Sequence, residues 1–252
     1  MRTTPLALAA ILAGVGAAHA QVVISEVYPN PGGPAGTADV IYEYIELYGE
    51  PGMDLTGYAI GQLIGGTDPE GDDVPNNAVE IDEAFTLDGL SLGANGFLVL
   101  FNDDSGFSEI EFLLPADANG SGFNDQFIPS PGEDAGNLEN DGSASWLLVR
   151  RRPNHDIVNG VSDYQPGYAF FKDINQDTDF DGKLDFGIEG GSASQLDPLQ
   201  IIDDLAWSNG GGKEYVRDSE QEISETVGFN PDFASRVAYY NENPMLGQRL
   251  NS

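Results

Sequence analysis

Two neighbouring stretches, VVISEVYPNPGG at residues 22–33 and EYIELYGEPGMDLTGYAI at residues 43–60, decide how the rest of the chain reads. In the first, Val22, Ile24 and Glu26 alternate with Val23, Ser25 and Val27, the two-residue period of an extended strand. Residues 29–33 then supply the Pro, Asn and Gly that stop it. The second opens on a segment that is apolar or aromatic on both faces, as in a central strand. It passes through a turn at residues 49–57 into another strand.

The same grammar continues outward. Short apolar runs at residues 80–86, 96–101, 109–115, 143–151 and 201–207 are separated by stretches rich in Gly, Pro, Asn and Asp. Each run predicts a strand and each gap a turn or loop. In SASWLLVRR (143–151), Trp146 and Leu148 oppose Leu147 and Val149. In IIDDLAW (201–207), Ile201, Leu205 and Trp207 are in phase, with Asp203 between them. Residues 65–80, 116–143 and 152–200 are polar and irregular, which predicts loop insertions. NGGG at 209–212 is a turn and lacks the Lys-Ser/Thr pair of a phosphate loop. Only the tail breaks the pattern. NPDFASRVAYY (230–240) has Asn230 placed as an N-cap, Pro231 in the first turn, and Phe233, Val237 and Tyr240 on one face, which predicts a short helix. The fold class expected is all-β with long loop insertions and a short C-terminal helix.

Residues 1–20, MRTTPLALAAILAGVGAAHA, combine a basic start, an apolar run and a small-residue end. That is the pattern of a secretory signal peptide cut before Gln21, its apolar run too short for a stable span. The expected organisation is a β domain over 21–212, its insert at 152–200, and an extension over 213–252. The expected location is outside the cytoplasm: secreted, periplasmic or at the cell surface. The formal net charge of −32 argues against nucleic acid as a partner, because that needs a basic footprint. Cys is absent, so neither disulfides nor thiol chemistry are available.

The insert carries the densest chemical signal, DINQDTDFDGKLD at residues 173–185. Calcium takes six to eight oxygen ligands at about 2.3–2.6 Å, and alternate acids can turn inward if the chain curls round the ion. Asp173, Asn175, Asp177, Asp179 and Asp181 have that spacing; Gly182 permits a sharp turn and Asp185 follows. The EF-hand register fails from either start. From Asp173 the sixth place holds Thr178 and the twelfth Leu184; from Asp177 Gly182 fits the sixth place, but Ile188 fills the twelfth. The candidate metal ligands are Asp177, Asp179, Asp181, Asp185 and the Lys183 carbonyl, with Asp173 and Asn175 in an outer shell or at a second ion. The competing reading is a solvated acidic loop in a chain with 42 acidic residues. The cluster Asp68, Glu70, Asp72 and Asp73 lacks the spacing and reads as solvated surface.

Several residues resemble a known family. Ile24-Ser25-Glu26-Val27 followed by Pro29-Asn30-Pro31, then Glu43-Tyr44 with Glu46-Leu47, then Asp54-Leu55 with Gly57-Tyr58, resemble the lamin tail domain. That family is found in nuclear lamins and in many bacterial secreted proteins. The resemblance covers roughly residues 22–208 with insertions and implies an immunoglobulin-like β-sandwich with an accessory or adhesive role. DTDFDGKLD, 177–185, is similar to the calcium loops of thrombospondin type 3 repeats and dockerins.

For catalysis the material is thin. His155, beside Asp156, is the only histidine after residue 20 and reads as a surface residue. Glu26, Glu43 and Glu46 lie on predicted strands, where a close pair would suit glycoside hydrolysis or would simply bond to neighbouring loops. Arg150 and Arg152, with Tyr28, Tyr42, Tyr44, Tyr48 and Tyr58, form either a glycan or peptide surface or ordinary packing. The expectation is a secreted structural or binding module stabilised by calcium, with no catalytic residues; the alternative is a secreted metal-dependent hydrolase of polysaccharides or phosphodiesters.

Overall fold

The computed structural model describes residues 22–29, 31, 39–64, 81–103, 109–128, 138, 143–151, 157–158, 161–162, 199–207, 231–238 and 248–251. Their strands are β1 (Val23–Tyr28), β2 (Tyr44–Tyr48), β3 (Tyr58–Ile64), β4 (Ile81–Thr86), β5 (Phe97–Phe101), β6 (Asn119–Gly122), β7 (Ala144–Arg151), β8 (Ile157–Val158), β9 (Val161–Ser162), β10 (Leu199–Trp207), β11 (Ala234–Ala238) and β12 (Gln248–Asn251). Among the described residues helix is confined to short turns: α1 (Asp39–Tyr42), α2 (Glu109–Leu113) and α3 (Phe123–Gln126). The all-β expectation holds.

Two sheets carry the architecture. One has six strands in the order β12-β11-β1-β2-β5-β6, antiparallel except for the parallel β5–β6 pair. The other has four antiparallel strands in the order β10-β7-β3-β4. A single apolar core lies between them. Ile24, Val27, Ile45, Leu47, Leu98 and Leu100 come from the six-stranded sheet; Ile60, Phe85, Trp146, Leu148, Leu205 and Trp207 come from the four-stranded one. The Trp146 and Trp207 rings sit 6.2 Å apart between the layers. Each such side chain contributes about 1.5–3 kcal/mol by leaving water. A second cluster, with Ala59, Leu63, Leu147, Val149 and Ile201, shows that the far face of the four-stranded sheet is buried as well.

Two β-bulges set which residues face the core. The β1–β2 register slips between Ile24 and Glu26, leaving Ser25 as the extra residue. Strict alternation would place Val27 opposite Ile24; the bulge turns both inward, and both are fully buried. Glu26 is thereby directed outward, directly across from Glu46. A matching slip in β10 between Ile201 and Asp203 corrects the phase read from the sequence. Ile201 joins the outer cluster, while Asp203 shares the inner face with Leu205 and Trp207. On β2, Ile45 and Leu47 are two residues apart and both face the core, so the outer face carries Tyr44, Glu46 and Tyr48.

The turn from β2 to β3 explains the Asp-Leu-x-Gly-Tyr run. Asp54 Oδ1 accepts the Thr56 N–H at 2.9 Å, and Leu55 is fully buried. Gly57 adopts φ +88°, a region that a Cβ disfavours, and its N–H donates to Asp88 Oδ1 at 2.7 Å. The backbone amide of Thr56 is the main reason that the Asp54 carboxyl is held below its usual range.

Three expectations are overturned. Residues 109–115 supply helix α2, not a strand. Glu-Ile-Glu-Phe-Leu fits either period over so short a run, and Pro115 stops it in both. The C-terminal helix expected over 230–240 is absent among the described residues, where Ala234–Ala238 is strand β11. One or two turns of isolated helix are marginal, whereas a strand here pairs β1 on one side and β12 on the other. The same pairing adds Gln248–Asn251 to the sheet as strand β12. Part of the 116–143 segment is also structured: β6 extends the larger sheet, and Phe123 of α3 is buried against Phe85 at 4.7 Å.

Candidate functional site

The acidic run at 173–185 lies outside the described residues, and so do Asp173, Asn175, Asp177, Asp179, Asp181, Lys183 and Asp185. His155 and the 68–73 acids lie outside them too. Among the described residues, no group of three or more His, Cys, Asp or Glu side chains is placed to hold a metal ion.

The strand glutamates divide between two environments. Glu43 precedes β2 and is fully buried. Its Oε2 accepts the Asn102 side-chain amide at 2.8 Å and the Leu138 N–H at 3.3 Å, and its carbonyl accepts the Asn102 N–H at 2.9 Å. It therefore pins the end of β5 and one point of the 116–143 segment to β2. Glu26 and Glu46 stand on the outer face, opposite each other across β1 and β2. Tyr44 donates its hydroxyl to Glu26 Oε1 at 2.7 Å. Ser25, the bulge residue, donates its hydroxyl to Glu46, with Oε1 at 2.8 Å and the carbonyl at 3.0 Å.

Partial burial raises the Glu46 carboxyl above its usual range; the Ser25 hydroxyl opposes this and the Glu26 charge adds to it. Burial and then the Glu26 contact push the Tyr44 phenol well above its ordinary value, because a phenolate there would stand beside a carboxylate.

Aromatic rings line the next row of the same face. Tyr28 and Tyr44 are direct cross-strand partners, their ring centroids 5.6 Å apart at 81°. Phe233, just before β11, meets Tyr28 edge-on at 6.0 Å and is itself 43 % exposed. On the other side of the Glu26–Glu46 pair, Tyr48 and Phe97 are cross-strand partners with ring centroids 4.8 Å apart. Arg152 lies outside the described residues, and the other described candidates separate from this group. Tyr42 belongs to α1, and Tyr58 is buried in the core under the Arg150 guanidinium, which lies 5.7 Å from the ring centroid. Arg150 also bonds the Tyr58 hydroxyl and Gln200.

A third polar group lies between the layers and was not legible in the sequence. Asp203 is buried at the bulge of β10. Its Oδ2 accepts the Ile24 N–H of β1 at 2.8 Å, and its Oδ1 contacts Arg236 Nη2 of β11 at 2.9 Å. The same Arg236 nitrogen donates to the Asp204 carbonyl at 2.9 Å. One carboxylate thus links three strands across both sheets. Burial pushes its pKa up to about 6, against the lowering effects of Arg236 and the Ile24 amide.

Comparison of the chain with protein-family models, with curated proteins and with solved structures finds no match.

Proposed function

We propose that this chain is a secreted, non-enzymatic structural or binding module of the lamin-tail kind, with an immunoglobulin-like sandwich arrangement, working at a cell surface or in extracellular matrix. In this reading calcium at residues 173–185 steadies the long insert of a domain that has no disulfide. The observation that carries the binding role is the distribution of the strand glutamates. Glu43 faces inward and is consumed in a buried link, while Glu26 and Glu46 face outward among half-buried and exposed aromatic rings. Acids separated by a sheet do not converge on one reacting atom; acids beside exposed rings suit recognition.

The alternative, a secreted hydrolase, draws on one feature: Glu26 directly opposite Glu46, with the Glu46 carboxyl raised. Both carboxylates already accept hydroxyl donors from the protein, which favours a positioned surface over a reacting pair.

Calorimetry with calcium and with a chelator tests the calcium part. A structural ion at saturating concentration adds about 3 kcal/mol to stability, which a domain of this size reads as roughly 6–12 °C in Tm. Identical melting temperatures in both buffers would remove calcium from the reading.

A further inference from the structure

The outer face of the six-stranded sheet joins two rows that suit one kind of ligand. The first is aromatic: Phe233, Tyr28 and Tyr44 come from the approach to β11, from β1 and from β2, each ring edge-on to its neighbour. The second is acidic: Glu26 and Glu46 stand one step along the same strands, on the same face. Ring faces attract cations, and carboxylates a few ångströms away complete the recognition of a guanidinium or ammonium group. The Ser25 bulge brings the rows together, since it is what turns Glu26 outward beside Glu46.

We infer that this face is a docking surface for arginine side chains of a basic, extended protein segment, the guanidinium resting against Phe233 and Tyr28 with its charge toward Glu26 and Glu46. The inference rests on the binding-module reading and names the partner's chemistry. Charge complementarity selects this occupant. The chain holds 42 acidic against 10 basic residues, so a second copy would meet strong like-charge repulsion. Arg236, three residues beyond Phe233, is turned inward to Asp203, so the strand's own cation does not serve the face. Phe233 remains 43 % exposed, which leaves a ring available at the rim. Arginine fits better than lysine here, because its flat guanidinium can stack on a ring and still present donors to two carboxylates.

The test is titration calorimetry at pH 8 and moderate salt, with the blocked peptide acetyl-Gly-Arg-Gly-Arg-Gly-amide as probe. The same peptide with citrulline at both arginine positions keeps the shape and removes the charge. Non-specific attraction to so acidic a chain is separated by variants. Phe233→Leu leaves the charge unchanged and should weaken the arginine peptide roughly two- to five-fold. Glu46→Gln should weaken it by a similar factor, while Asp54→Asn, an equal loss of charge on the exposed turn before β3, should leave it as in the wild type. Equal binding of the citrulline peptide would overturn the inference. So would unchanged affinity in Phe233→Leu and Glu46→Gln with their melting temperatures preserved. Wild-type self-association that Phe233→Leu abolishes would also overturn it, in favour of a second copy. The chelator experiment reads the calcium-stabilised module independently of all these outcomes.

Discussion

Replacing Arg236 by Met keeps the length of the side chain and removes its charge. Among the described residues, Asp203 is then left buried with only the Ile24 amide as a charge-stabilising donor, and the Asp204 carbonyl loses the Arg236 bond. Breaking one partner out of a buried ion pair costs about 3–5 kcal/mol, chiefly because the remaining charge is stranded. The size of the loss must depend on pH, because Asp203 can escape by taking up a proton. In the wild type its folded pKa of about 6 stands above the ordinary 3.8. The folded state therefore holds this proton more tightly than the unfolded state. The resulting stability is fully present below pH ~4 and is lost as pH rises through ~6, and at about 1.4 kcal/mol per pH unit it amounts to roughly 3 kcal/mol. Removing Arg236, whose charge lowers that pKa, extends the window upward. Arg236→Met should thus cost about 3–5 kcal/mol at pH 8 and clearly less at pH 4. Urea unfolding at several pH values, followed by the fluorescence of Trp146 and Trp207, measures this directly, since these are the chain's two tryptophans. Asp203→Asn, which cannot titrate, separates the effect from the general relief of repulsion in acid. A wild-type stability profile that runs parallel to that of Asp203→Asn from pH 4 to 7, or an Arg236→Met cost that is the same at pH 4 and pH 8, would refute the reasoning.

Other consequences are simpler. Phe85→Ala should destabilise by about 3–5 kcal/mol by opening a cavity beside Phe123, and a loss under 1 kcal/mol in urea would contradict the packing described. Gly57→Ala must place a Cβ at φ +88° and should lose about 1–2 kcal/mol, whereas an unchanged melting temperature would mean that the turn adopts another conformation. Tyr44 should ionise well above an ordinary tyrosine; Glu26→Gln should bring its ultraviolet phenolate titration back down, and no shift between the two proteins would show that the contact is not made in solution. Ser25→Ala removes the hydroxyl that opposes the rise of Glu46, so the Glu46 carboxyl should titrate higher still by carbon-detected NMR.

The strands with sustained alternation were legible in the sequence: β1, β2, β3, β5, β7 and β10 all fall where apolar periods and turn residues put them. Their bulges were not, because one extra residue changes the facing of a strand without altering its composition. Ser25 and the slip before Asp203 are ordinary residues in sequence and decisive ones in register. The states of α2 and β11 are not legible in the sequence for a related reason. Five-residue segments carry little intrinsic preference, and β11 owes its state to the edge that β1 offers it from far along the chain. The aromatic candidates Tyr28, Tyr44 and Tyr48 do share a face, but the local pattern around Phe233 is helical and its place beside Tyr28 depends on that distant pairing. The acidic run at 173–185 was legible as chemistry because ligand spacing is local; its geometry falls outside the described residues.

The link from the Ile24 amide to Asp203 joins residues 179 positions apart. It follows that, of the described strands, β1 leaves the ribosome ahead of the rest and is one of the last to be completed. Until Asp203 and Ala234–Ala238 have been synthesised, β1 can pair with β2 but has neither its second neighbour nor the acceptor for its own backbone. Folding of such a chain is dominated by long loop closures, which places it with the slow β topologies that take milliseconds to seconds. The early half must wait as an incomplete sheet with an open edge. Its high negative charge, a cost to the finished domain, is then a protection, since waiting chains of this kind repel one another before they can pair.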